Sequence, residues 1–286
     1  MTEWINLREE RDFGEKFNAT FLFARQNFKS LSLCLLYLGA PLMIVASLFV
    51  AYMQADMQIG TIDYSKGLPE GIGILYVVIG PVYLIAYSWL MTVTYAYITE
   101  YLNGNREITP GQVFSRASHK IGKIIGLNII TGIMIFFAFL LVLIPGIYLA
   151  VALTFVQVIL LVEDVPVFKS ISRSMSLIKE KWWSTFGLVF VMSIVLAIMQ
   201  LIFAIPTYIS LFFKVLHQNL FAFDAGTIIS NIIGAIGISL LYPLLFIAIA
   251  FQYFNMVERH EGKGLMNEID MAGKQPETTL KNEGEY

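Results

Sequence analysis

Six apolar stretches divide the chain: 31–53, 74–99, 124–144, 147–162, 184–205 and 228–257. A run of about 20 apolar residues crosses a hydrocarbon core of about 30 Å, and the fourth stretch lies near the lower limit of about 17. No Asp, Glu, Lys, Arg or His sits deep in any of them. Pro41, Pro81 and Pro243 predict bends, Pro206 a stop, and Pro145-Gly146 a tight hinge making the third and fourth spans antiparallel neighbours.

Between the apolar runs the period changes. In residues 163–183, EDVPVFKSISRSMSLIKEKWW, the apolar positions Phe168, Ile171, Met175, Ile178 and Trp182 recur at steps of three and four. They line one face of a helix, opposite Lys169, Ser172, Arg173, Ser176 and Lys179. Asp164 and Pro166 are start signals. In residues 12–29, Phe13, Phe17, Phe21, Ala24 and Phe28 share a face. In 103–124, Thr109-Pro110-Gly111-Gln112 has the form of a capping box, followed by an apolar face of Phe114, Ala117, Ile121 and Ile124. Each segment leads into a pair of apolar runs. The predicted fold is therefore an all-α polytopic membrane bundle of six transmembrane helices and three interfacial amphipathic helices. The order surface helix, span, span occurs three times, with SRAS at 115–118 faintly echoed by SRSM at 172–175. Three regions follow: an amphipathic N-terminal segment 1–30, a six-span domain 31–257, and a polar tail 258–286 with a disordered end.

Composition agrees: 57% of residues are hydrophobic and 14% charged, where soluble domains carry about 25% charged residues. Cys34 is the single cysteine, so no intramolecular disulfide can form. The cations fall on one side of the predicted topology. Arg25, Lys29, Arg116, Lys120, Lys123, Lys169, Arg173 and Lys179 cluster beside the surface helices, and the opposite side holds only Lys66 and Lys214. The positive-inside rule then places both termini and all three surface helices in the cytoplasm of a multi-pass cell-membrane protein.

Chemistry is sparse. No phosphate-binding loop, metal-spaced His/Cys cluster, nucleophile elbow or dinucleotide fingerprint is present, and His119, His217 and His260 are scattered. The expectation is a protein without catalytic residues, cofactor or metal, and without a nucleic-acid partner. Two groups of residues stand above this background. The basic residues just named are candidate contacts for anionic lipid headgroups. Glu100, Glu163, Gln252, Asn255 and Arg259 belong near the cytoplasmic mouth, where they form either a polar tie between surface helices and bundle or a shallow site. A milder stripe of Ser88, Thr92 and Tyr95, with Asn128, Thr131, Gln157, Gln200 and Asn231, is read as interhelical hydrogen bonding. Its alternative is a small-molecule or lipid facilitator.

The stretches PGIYLAVALTFVQVILLVED and PVFKSISRSMSLIKEKWWSTFGLVFV, residues 145–164 and 166–191, resemble the membrane domain of bacterial glycerophosphodiester phosphodiesterases and related six-span bacterial membrane proteins. Glu180 and Lys181 stand where that family often has a glycine, and no catalytic domain follows in this sequence. The resemblance implies a bacterial inner-membrane fold and carries over no catalytic residue. The function expected is a non-enzymatic protein that organises lipid or a protein partner.

Overall fold

The computed structural model describes residues 4–56, 72–105, 107–216 and 225–262. The predicted loop at 54–71 lies mostly outside them, and the end of the tail lies wholly outside. Among the described residues there are helices and no strand. Six of the helices are long and apolar enough to cross a membrane.

Helix α1 (Phe13–Gln26) starts at a reciprocal cap: Glu15 N donates to Asp12 Oδ1 and Asp12 N to Glu15 Oε2, each at 2.8 Å. Its protein-facing side is Lys16, Ala19, Thr20 and Phe23. The aromatic face read from the sequence as interfacial lies beside this one and is split. Phe17 and Phe21 pack beside Leu188, Met192 and Leu244, while Phe13 and Phe28 are exposed. The small Ala19 and Thr20 let α1 approach its neighbours closely, and the large rings take the flanks.

The first span is α2 (Phe28–Cys34), a π-helical turn at Leu35–Gly39, and α3 (Ala40–Asp56). Pro41 has no N–H to donate, and the turn before it widens. Trp89 Nε1 donates to Leu38 O there at 2.8 Å. Gly39 admits the side chain of Leu90, whose Cδ1 would lie 2.6 Å from an added Cβ. Helices α4 (Ile72–Leu102), α10 (Trp182–Leu216) and α11 (Ala225–Glu261) run unbroken through Pro81, Pro206 and Pro243. Pro206 thus does not end the fifth span. Neighbouring helices and nearby hydroxyls let a membrane helix tolerate one missing hydrogen bond.

Helix α5 (Pro110–Ser118) begins at the predicted box, with Thr109 N donating to Gln112 Oε1 at 2.9 Å. Val113 and Ala117 are buried, and Phe114 is exposed. Helix α6 (Ile121–Leu141) turns at Val142 into α7 (Leu143–Ala152), followed by α8 (Val156–Val162). The turn precedes Pro145-Gly146, which lie inside the first turn of α7. Asp164 adopts φ 52°, a left-handed conformation that Asp tolerates, and redirects the chain into α9 (Val167–Ile178).

On α9 the buried side is Ser170, Ile171, Ser174, Leu177 and Ile178. Phe168 and Met175, predicted to share the apolar face, are exposed. Serines replace them at the contact: Ser174 Oγ donates to Ala152 O at 2.7 Å, where α7 ends. The large side chains point away from the bundle.

The core is concentrated at one end. Residues 92–101 of α4, Phe155 with residues 156–161 of α8, and 246–257 of α11 are buried almost continuously, with Tyr95, Phe155, Phe246 and Phe251 among the largest fully buried side chains. The surface helices cover this same end. At the far end α6 and α10 expose Phe136, Leu140, Ile202 and Phe212, as helices bathed in acyl chains do.

Candidate functional site

The packed end carries a set of ties, each joining a surface helix to the end of a span. Glu100 is buried at the end of α4. Its Oε1 accepts from Arg116 Nε on α5, and its Oε2 from Asn105 Nδ2 at 2.6 Å. Glu163, just after α8, accepts on Oε1 from Arg173 Nε of α9 at 2.6 Å and from Tyr253 OH at 2.7 Å. A second Arg173 nitrogen pairs with Glu261 at the end of α11. Arg116 and Arg173 are each the seventh residue of their helix, so the SRAS/SRSM echo marks equivalent positions.

The third tie closes the set by returning to the start of the chain. Lys16 Nζ on α1 donates to Gln252 Oε1 on α11 at 2.7 Å, and Gln252 Nε2 donates to Thr185 Oγ1 at 2.9 Å. One and two helical turns further on, Asn255 Nδ2 donates to Arg11 O at 2.8 Å and Arg259 lies 3.4 Å from Glu10. The predicted common face of Gln252, Asn255 and Arg259 is therefore a seat for residues 10–16. Upstream, Trp4 stacks on Tyr101 at 4.0 Å between centroids, Ile5 N donates to Tyr101 OH at 3.0 Å, and Ile5 and Leu7 are buried.

Electrostatics differ among the ties. Burial pulls Lys16 below its ordinary pKa; Asp12 opposes this, and Arg259 and Lys181 reinforce it. Burial also pulls on Arg173, but the hydrogen bonds and charges of Glu163 and Glu261 outweigh it and raise its pKa. Asp164 is held below the usual carboxylate value, first by the hydrogen bond from Lys120 at 2.9 Å and then by its charge.

The candidate residues fall into two sets. Arg116, Lys120 and Arg173, expected at lipid headgroups, are held in ion pairs by Glu100, Asp164, Glu163 and Glu261. The carboxylates were too far away in sequence to reveal this. Arg25, Lys29, Lys123, Lys169 and Lys179 are exposed. Glu100, Glu163, Gln252, Asn255 and Arg259 form no single cluster: Glu100 holds α5, Glu163 holds α9, and Gln252, Asn255 and Arg259 together seat residues 10–16. The sequence reading missed Lys16, Thr185, Tyr253 and Glu261 as partners. For Lys16 a signal existed: it shares its face with the small Ala19 and Thr20, a pattern of close helix contact.

Mid-bundle, Asn128 Nδ2 donates to Ser88 Oγ and Gln157 Nε2 to Asn128 Oδ1, joining α4, α6 and α8. Thr92 Oγ1 turns back to Ser88 O at 2.6 Å. Among the described residues no three His, Cys, Asp or Glu side chains gather as a metal site requires.

These features define a multi-pass helical membrane protein whose surface helices are fastened to one end of its bundle. No protein-family model, curated protein or solved structure matches the chain.

Proposed function

We propose that this is a non-enzymatic protein of a bacterial inner membrane that organises anionic lipid at its packed end, with that end and both termini in the cytoplasm. The observation that carries the reading is the composition of the exposed side of the surface helices. Arg25, Lys29, Lys123, Lys169 and Lys179 stand out from the same end as the exposed rings of Phe28, Phe114, Phe168 and Trp183. Rings that enter the headgroup layer beside cations that meet its phosphates form an interfacial binding face. Each exposed cation contributes about 1 kcal/mol near an anionic surface. The resemblance to phosphodiesterase membrane domains supports the bacterial inner-membrane setting. The facilitator reading is less favoured, because Ser88, Asn128 and Gln157 hydrogen-bond one another, which suits helix packing.

The test is native mass spectrometry of the protein from nanodiscs with equal phosphatidylglycerol and phosphatidylcholine. Retained lipid should be enriched in the anionic species. Replacing the five exposed cations by Gln should remove the enrichment while leaving the fold intact by circular dichroism. Equal retention of both lipids by the unaltered protein rejects the reading.

A further inference from the structure

The α6–α7 turn offers no side chain that seeks water. From Gly132 to Ile147 the chain carries no polar side chain. Yet the tip is not covered by protein: Leu141 is 78% exposed and Ile144 76%. The nineteen residue steps from Lys123 to Val142 rise about 28 Å at 1.5 Å each, against a hydrocarbon core of about 30 Å. With Lys123 at the near interface, even an untilted α6 brings the turn only to the inner edge of the far headgroups. Tilt draws it deeper.

A turn in hydrocarbon must leave few backbone groups unpaired, since each costs several kcal/mol there. Part of that cost is avoided here. Val142 N donates to Ala138 O and Gly146 N to Val142 O, each at 3.3 Å. Pro145, third in α7, has no N–H to leave unpaired. Gly146 admits the ring of Phe139, which would lie 2.4 Å from an added Cβ, so the two helices close tightly at the tip.

The geometry points to a hairpin whose tip ends within the far leaflet, with acyl chains as its partner, and does not emerge into the aqueous phase. The inference uses the interfacial placement of the packed end but not its cytoplasmic orientation.

Single cysteines at Leu141 and Val142, in a Cys34→Ser background, test it in intact cells and in inverted vesicles with a membrane-impermeant sulfonated maleimide. Controls are Ser176→Cys, on the exposed side of α9, and Ser65→Cys, in the predicted loop between the first two spans. Both tip cysteines should label at least tenfold more slowly than the control that faces the reagent, Ser65→Cys in intact cells and Ser176→Cys in inverted vesicles, and all should label after denaturation in sodium dodecyl sulfate. Labelling of the tip at the rate of Ser65→Cys overturns the inference. So does a disulfide between the tips of two copies, which makes the partner a second chain. Labelling of Ser176→Cys from outside intact cells would reverse the proposed orientation and leave the tip inference standing. A second readout is Leu141→Lys, expected to lower the membrane-inserted yield several-fold. An unchanged yield also overturns the inference.

Discussion

Lys16 Nζ donates to Gln252 Oε1 at 2.7 Å, joining residues 236 positions apart at the contact of α1 with α11. The lysine is only 3% exposed, and its hydrogen bond goes to an amide rather than to a carboxylate. A buried ammonium held by a neutral amide makes the partners unequal. Gln252→Leu leaves the lysine without its acceptor and should destabilise the bundle by about 3 kcal/mol. Lys16→Met removes the charge and the hydrogen bond together, and should cost within about 1 kcal/mol. The double variant should recover most of the Gln252→Leu loss. Thermal unfolding in detergent, arranged as a double-mutant cycle, measures the coupling.

The same lysine gives a pH dependence. Its pKa in the folded chain is lowered from the ordinary value of 10.5 by burial. Between the lowered value and 10.5 the unfolded chain holds more protons than the folded one, so stability rises with pH across that window. Below it, the cost of the buried proton is fully present. Melting temperatures of the wild type minus those of Lys16→Met should climb from neutral pH towards pH 10.5. A flat difference removes this account.

Arg173 and Arg116 occupy equivalent positions but should respond differently. Arg173→Ala removes the ion pairs to two carboxylates, Glu163 and Glu261, and leaves Tyr253 OH on a Glu163 without its cation. The loss should be about 2–3 kcal/mol, discounted from a fully buried pair because the arginine side chain is 24% exposed. Arg116→Ala frees Glu100 alone and should cost less, about 1–2 kcal/mol. Denaturation of each variant in one detergent ranks them.

Two glycines three residues apart on α11 separate tight packing from open space. An added Cβ at Gly237 meets the Phe203 ring at 2.3 Å, whereas one at Gly234 meets nothing within 4 Å. Gly237→Ala should cost about 1–3 kcal/mol through forced movement of α10 against α11. Gly234→Ala should be neutral or stabilising, because it reduces the freedom of the unfolded chain. The difference between the two melting temperatures reads the contact directly.

Much of the architecture was legible because a membrane exposes it in composition: uncharged runs mark the crossings, and a change of period marks the surface helices. The capping box at Thr109 and the common face of Gln252, Asn255 and Arg259 were local patterns, and they appear as read. The direction each amphipathic helix faces was not legible. Phe168 and Met175 repeat at the same step as Ile171 and Ile178, but a helix at an interface has two apolar environments, protein and lipid. Periodicity cannot assign residues between them, and here the serines took the protein side. The ion pairs were hidden for another reason. Arg173 and Glu261 are 88 residues apart, and only the folded bundle brings them together.

The seat for residues 10–16 has a consequence for synthesis. Gln252, Asn255 and Arg259, which seat this first segment, all lie on α11, which is synthesised after the other described helices. The contacts of α1 with α11 therefore cannot form until residues 252–259 have been made, and Lys16 is without its Gln252 acceptor until then. Before that point the first segment can hold only to the earlier helices, through Tyr101 of α4 and the α10 residues beside Phe17 and Phe21.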